Sequence, residues 1–428
     1  MLRKEVNDLL TQTGAAAPMG KLFRRYWLPA LLAWELPEND CPPVRVKLLG
    51  EPLIAFRDSS GRYGLIEEYC AHRRVSLWFG RNEDNGLRCP YHGWKFDVTG
   101  QCVEIPSESK DSEFRKSVKL QSYSMIKVGD VLWAFMGDEE NRPPEPQWEF
   151  CRVPSDHTVT TKRLQECNWL QALEGGIDSS HVSFLHSNEL ERDPLFKGAK
   201  ANQYNLNDTK PVFEVKESAG GLYIGVRRNV EEEKYYWRIT QWVMPCFTMI
   251  PPRADHPQHG HFWVPIDDQN CWTWSYDYHP DRPITEAERK ACLEGKGVHT
   301  ENIPGTFRPV QNKDNDYMMD RGAQKRGETY SGIKGFGMQD ASLQESMGPI
   351  VDRSRENLVP TDYGIVMTRN RLRRAVTDLL DKNKLPPGMD EAHMKVRSVS
   401  IVLDREQDYV EACKTAFIAK KGKRRTTV

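Results

Sequence analysis

Two cysteine–histidine pairs sit close together in EYCAHRRVSLWFGRNEDNGLRCPYHGWKFD: Cys70 with His72 and, after sixteen residues, Cys89 with His92. A thiolate and an imidazole one or two residues apart can reach one centre from a tight loop, and two such loops clamp it from opposite sides. Four donors of this kind suit either a structural Cys2His2 zinc site or a two-iron, two-sulfur cluster in which histidines replace both cysteines on one iron. Classical zinc fingers place a cysteine pair before a histidine pair. Here each loop carries one of each, which suits two stacked loops that give their thiolates to one iron and their imidazoles to the other.

A second donor set lies in EGGIDSSHVSFLH, where Asp178 precedes His181 by three residues and His186 follows five later. The surrounding QECNWLQALEGGIDSSHVSFLH reads as helix. Positions five apart on a regular helix lie about 140° round the axis, too far to share a metal, so a bulge is expected between His181 and His186. Two imidazoles and one carboxylate make the facial set of non-haem Fe(II) oxygenases, which leaves coordination positions open for dioxygen. Asp178 is one candidate for that carboxylate. His256, His259 and His261 in RADHPQHGHF also have metal-like spacing, but the proline and glycine around them predict a surface loop.

Such donors need rigid elements behind them. From Val44 the apolar period is two, with Val44, Val46 and Leu48 alternating with Arg45 and Lys47; EPLIAFRD, a DSSG turn, RYGLIEEY and VGDVLWAFMG continue the β pattern. An all-β domain over residues 40–150 follows, closed by the proline-rich, charged GDEENRPPEPQ. Residues 6–28 read as helix and approach segment, so residues 1–39 are expected to pack as a helical segment on the downstream domain. In residues 151–428, aromatic strands (GGLYIGVRR, YYWRITQWVM, NCWTWSYDYH) follow a helix. In GIVMTRNRLRRAVTDLLDK, Leu372, Val376, Leu379 and Leu380 form one apolar face, as in a docked surface helix. The fold class expected is α+β.

The bulk numbers exclude several functions. With 428 residues, 60 basic and 61 acidic side chains and a net charge of -1, the chain has no nucleic-acid footprint. The one basic run, KKGKRR at 420–425, reads as a solvated tail. No apolar run of about 18 residues exists, and MLRKEVNDLL lacks a signal-peptide core, so a cytoplasmic protein without membrane spans is expected. Ten cysteines in so long a chain do not make a disulfide scaffold. No GxGxxG fingerprint follows a strand, so neither NAD nor flavin is expected on this chain.

CAH, sixteen residues and CPYHGW together resemble the Rieske signature. With EGGIDSSHVSFLH downstream, the chain resembles the α-subunits of Rieske non-haem iron ring-hydroxylating oxygenases over nearly its whole length. PMGKLFRRYWLPAL, NDYMMDRGAQ and GIKGFGMQDASLQESMGPIVDR are similar to the phthalate 4,5-dioxygenase group. The resemblance implies a [2Fe-2S] cluster on Cys70, His72, Cys89 and His92, and a mononuclear iron on His181, His186 and Asp340, with Glu345 following in the family spacing. It casts Asp178 as a bridge that hydrogen-bonds an iron histidine and a cluster histidine of a neighbouring subunit. A helix-grip catalytic domain, a homotrimer or trimer-based hexamer, a separate flavin/iron–sulfur reductase and an aromatic acid substrate are implied as well. For the substrate carboxylate, Arg238 and Arg228 are candidates, each otherwise a surface arginine. The expected reaction is cis-dihydroxylation with O2; the alternative is a monooxygenase that demethylates or cleaves an aromatic ether. Arg73 and Arg74 beside the cluster read as solvated.

Overall fold

Strand β3 (Glu51–Arg57) shows how the two-residue period builds this molecule. Leu53 and Ala55 point into one core with Leu65 of β4 (Tyr63–Glu67), while Ile54 and Phe56 point into another with Ile66. The computed structural model describes residues 2–109, 112–420 and 426–428. In it, β3 and β4 belong to a six-stranded antiparallel sheet with β1 (Trp27–Leu32), β2 (Val44–Leu48), β9 (Ser122–Val128) and β10 (Val131–Phe135), in the order β1-β10-β9-β4-β3-β2. The DSSG turn between β3 and β4 is held by Asp58, whose Oδ1 accepts from Ser60 N and Arg62 N, with Gly61 in the left-handed region at φ 81°. A smaller sheet of β5 (Arg81–Glu83), β6 (Gly86–Arg88), β7 (Lys95–Phe96) and β8 (Cys102–Glu104) covers the second core, which contains Leu77, Leu87, Trp94 and Phe96 together with Cys70 and Cys89.

The N-terminal segment departs from expectation. Its helices α1 (Lys4–Thr11) and α2 (Pro18–Phe23) are separated by a turn at Gly14, and Pro18 sits at the first helical position. Both pack on the second half of the chain, but Trp27–Leu32 is strand, paired antiparallel with β10, and so completes the first sheet. The basic run at 420–425 lies, apart from Lys420, outside the described residues.

The second half is built on an eight-stranded antiparallel sheet: β11 (Thr158–Gln165), β17 (Cys271–Tyr278), β16 (Gln258–Pro265), β15 (Phe247–Ile250), β14 (Lys234–Val243), β13 (Gly221–Asn229) and β12 (Val212–Glu217), with β18 (Val399–Asp404) paired to β14. Helix α3 (Trp169–Ile177) crosses β15 and β16. Between α4 (Glu286–Leu293) and the long α6 (Tyr363–Lys382) comes α5 (Phe336–Ser346), which packs on α3. On α6 the buried stripe is Leu372, Ala375, Val376 and Leu379; Leu380, at the edge of that arc, is exposed. The architecture is α+β, and no helix among the described residues is long and apolar enough to cross a membrane.

One apolar core spans both halves, and a buried ion pair reinforces it. Lys162 on β11 meets Glu35, just after β1, at 2.6 Å, and its ammonium lies 4.1 Å from the Phe307 ring centroid and 5.1 Å from that of Trp272. Both side chains are dry, so removing one strands the other's charge. Glu35→Ala is expected to cost about 3–5 kcal/mol, read as a fall in the thermal midpoint; the Glu35→Ala, Lys162→Met double variant is expected to recover much of that loss.

Candidate metal centres and active site

Two tight loops present the first donor set. In the loop after β4, Cys70 N donates to Val75 O and Arg74 N to Cys70 O, both at 2.9 Å. Between β6 and β7, Cys89 N donates to Trp94 O at 2.8 Å and Gly93 N to Cys89 O at 3.0 Å. Gly93, at φ 77°, makes this second turn possible. Cys70 and Cys89 are buried, His72 and His92 exposed. The two imidazole centroids are 4.5 Å apart, and Trp94 stacks on His72. Burial and the neighbouring Cys89 push the Cys70 thiol up to about 11, so a bound metal is what would make it a ligand thiolate.

The spread of these donors separates the two chemistries left open by spacing. Groups of three donors within 4.8 Å of one another occur at two places among the described residues, and neither includes any of these four. That is too open for one tetrahedral ion, whereas a binuclear cluster, with thiolates on the inner iron and imidazoles on the outer, fits. Arg74 pairs with Glu67 at the surface, and Arg73 lies over Tyr91.

The second set arises where α3 stops. Asn168 caps its N-terminus by accepting from Leu170 N. At the other end Gly175 and Gly176 let the helix press on its neighbours: a Cβ on Gly176 would lie 2.0 Å from the Trp263 ring, and one on Gly175 2.0 Å from Gln344 Nε2. The helix ends at Ile177, earlier than the sequence suggested. The expected bulge between the histidines is therefore a full break before both of them, followed by a short 3-10 turn at His181–Ser183. Asp178 shapes that turn, with Oδ1 accepting from Ser180 N and Oγ at 2.7 and 2.8 Å and Oδ2 lying 2.9 Å from His181 Nδ1. Burial works against the Asp178 charge, but His181 and Ser180 hold its carboxyl below the usual range.

The break lets His181 and His186 converge on Asp340, which α5 supplies. His181 Nε2 is 3.1 Å from His186 Nε2 and 3.5 Å from Asp340 Oδ1, and His186 Nε2 is 3.2 Å from the same oxygen. Three cis ligands about 2.1 Å from one dication lie about 3 Å apart, so these residues could hold a single ion on one face. Burial notwithstanding, the two histidines and Arg163 hold the Asp340 carboxyl at about 2. Each imidazole is oriented from behind, His181 by Asp178 and His186 by Gln339, whose Oε1 is 2.8 Å from Nδ1 and whose Nε2 donates to Ile333 O. These contacts direct both Nε2 lone pairs to the common point. Sequence reading missed Gln339, although it adjoins Asp340. Glu345 turns away, accepting from Glu166 N and Tyr317 OH.

Facing the triad is a cavity lined by Arg163, Arg238, Arg253, His259, His261 and Trp263, among others. Two expectations are corrected here. His259 and His261 belong to the buried strand β16 and not to a surface loop; burial, with Arg253 and Arg163 nearby, keeps both imidazoles neutral, His261 at about 3. The two candidate arginines are not surface residues either. Arg228 is fully buried but does not line the cavity: its Nη2 donates to Ser179 O and its Nε to Asp208 O, bracing the loop that carries Asp178. Arg238 does line it, with Nη1 donating to Ser179 Oγ at 3.2 Å. Arg163 and Arg253, both missed, join it; none of the three makes a direct ion pair with a carboxylate among the described residues, although Arg163 acts on Asp340 from further away.

Residues 26–124 match the Rieske [2Fe-2S] domain model, and residues 134–425 the model described as LigXa C-terminal domain like. The chain is 38% identical over 401 residues to the 3-chlorobenzoate-3,4-dioxygenase oxygenase subunit of Comamonas testosteroni, covering 90% of this chain and 91% of that protein. It is 39% identical over 393 residues to the phthalate 4,5-dioxygenase oxygenase subunit of Pseudomonas putida, covering 89% and 86%, and 30% identical over 396 residues to the 5,5'-dehydrodivanillate O-demethylase oxygenase subunit of a Sphingobium species, covering 91% and 82%. The crystal structure of dicamba monooxygenase bound to dicamba shares the fold, with a TM-score of 0.59 at 18% identity over 84% of this chain and 99% of that one. Sequence over nearly the full length, fold and paired donor sets agree: the chain belongs to the Rieske non-haem iron oxygenases, as an oxygenase component.

Proposed function

We propose that this oxygenase cis-dihydroxylates an aromatic carboxylate, of the phthalate or substituted benzoate kind, using O2 and electrons from a separate NAD(P)H-dependent reductase. The observation that carries the substrate class is the set of three buried guanidiniums around the triad, none in a direct ion pair with a carboxylate among the described residues and only Arg163 answering the Asp340 charge from further away. A buried cation is costly until an anion joins it, and a planar guanidinium matches a carboxylate bidentately. The names of the relatives at 38% and 39% identity point the same way.

Cys70, His72, Cys89 and His92 would hold the cluster, and His181, His186 and Asp340 the iron. When bound, the cluster supplies electrons one at a time and the iron open positions for dioxygen. Arg238, with Arg163 and Arg253, would anchor the substrate carboxylate, while Trp263, Phe336 and Ile250 supply the apolar wall for its ring. Holding ring and oxygen at fixed separation sets which carbons react.

A homotrimer completes the electron path. Exposed Tyr91 packs on His92, exposed Phe114 on the Trp94 that stacks on His72, and exposed Trp78 and Phe79 follow the first cluster loop, while exposed Phe184, Tyr330, Leu343 and Met347 lie around the iron loop and α5. Docking the first patch on the second of a neighbour buries both and closes a ring. Asp178 would then bridge His181 to a cluster histidine of the neighbouring subunit.

With a reconstituted reductase and a panel of phthalates, hydroxybenzoates and methoxybenzoates, O2 uptake should be coupled to a dihydrodiol. Arg238→Leu should raise the KM for carboxylate substrates about 10–100-fold, the value of one charge-assisted contact of about 1.5–3 kcal/mol. Phenol and formaldehyde in place of dihydrodiol would establish the O-demethylase reading that the 30% identical relative favours; uptake indifferent to a carboxylate would refute the substrate class.

A further inference from the structure

Asp277 on β17, Cys292 on α4 and His299 in the loop after α4 form a third cluster of ligand-type side chains, with no part in the reaction above. All three are at most 2% exposed, and their donor atoms lie within 4.8 Å of one another. Cys292 Sγ is 3.5 Å from Asp277 Oδ2, and His299 Nε2 is 3.7 Å from Asp277 Oδ1. Neither Asp277 Oδ1 nor His299 Nε2 has a hydrogen-bond partner among the described residues. His299 Nδ1 lies 2.7 Å from Thr161 Oγ1; donation of Nδ1–H there leaves the Nε2 lone pair facing the carboxylate oxygen. In that tautomer two acceptors are opposed in a dry interior, and a cation between them, a metal ion or a proton on Nε2, would relieve the pair.

We propose that Asp277, Cys292 and His299 bind a structural zinc ion that pins one wall of the active-site cavity. Thiolate, imidazole and carboxylate together select zinc over hard cations. Zinc bonds of about 2.0–2.1 Å to N and O and about 2.3 Å to S, at tetrahedral angles, set donors about 3.3–3.6 Å apart; one donor atom from each of the three residues lies within 4.8 Å of the others, so a small contraction would bring them onto one ion. The ion would fix the loop at Val298 and His299. Ser275 Oγ, also on β17, donates to Val298 O at 3.0 Å, and the His299 carbonyl lies so near Gly337 of α5 that a Cβ there would be 2.9 Å away. Val298 and Gly337 both line the cavity.

Full-length holoprotein, equilibrated with buffered zinc, is analysed for metals and by zinc K-edge absorption. About one zinc per chain is expected, with a single sulfur at about 2.3 Å. The His181→Ala, His186→Ala double variant should retain that zinc. Cys292→Ser should lose the sulfur shell and at least ten-fold in zinc affinity, with the cluster's visible spectrum unchanged. Zinc below one tenth per chain in the wild type, a shell without sulfur (zinc in the iron triad) or one with two sulfurs (zinc in the cluster loops) each overturns the proposal, and the wild-type spectrum decides even where Cys292→Ser does not fold.

Discussion

His186→Ala is expected to abolish oxygenation while leaving a protein as red-brown as the wild type. The imidazole is almost wholly buried and fixed from both ends, by Gln339 at Nδ1 and by the convergence of His181 and Asp340 at Nε2. Loss of a residue that merely orients a ligand costs about 10–100-fold in metal affinity or activity, so loss of the ligand itself should exceed about 100-fold. Metal analysis should fall from about three irons per chain to about two, with acid-labile sulfide unchanged. The cluster loops belong to a separate core and share no residue with α3 or α5, which is why the two metals should part company. A variant that retains its third iron and turns over would remove His186 from the ligand set; one that loses sulfide as well would mean that the two halves do not load independently.

Local and distributed features differ in how far they can be read from sequence. The cluster loops are legible because all four donors lie within 23 residues and each pair closes its own turn. Asp340 lies over 150 residues from His186, and no periodicity ties them; only the resemblance did. The cavity arginines come from β11, from β14 and from the segment after β15, so each is one polar residue among strand residues until the sheet folds. His259 and His261 read as loop residues for a physical reason. Gly260 between them suggested a turn, but a Cβ there would lie 2.1 Å from Thr248 O and 2.2 Å from Tyr276 OH, so the glycine marks the close approach of neighbouring strands. Likewise the glycines at 175–176 serve packing against Trp263 and Gln344, and the chain leaves the helix at Asp178, whose carboxylate satisfies the freed amides.

Asp178→Asn should separate holding metal from using it. The side chain is nearly isosteric, and an amide can still accept from Ser180 N and Oγ as the carboxylate does, so the turn and the course of the 178–186 segment should persist. What changes is the charge facing His181 Nδ1 at 2.9 Å. With its one oxygen kept by Ser180, the amide turns an NH2 toward His181 Nδ1–H, so that hydrogen bond is lost, and no negative charge faces the neighbouring subunit of the proposed trimer. Both metals should therefore remain at wild-type content and the cluster should be reduced by the reductase at the normal rate, while product formation falls about 10–100-fold or more. The decisive measurement is single turnover of pre-reduced protein: oxidation of the cluster on adding substrate and O2 should slow together with product formation. If instead the variant loses its third iron, Asp178 acts only by orienting His181. If cluster oxidation keeps its wild-type rate, electrons reach the iron site by a route that does not pass through this carboxylate.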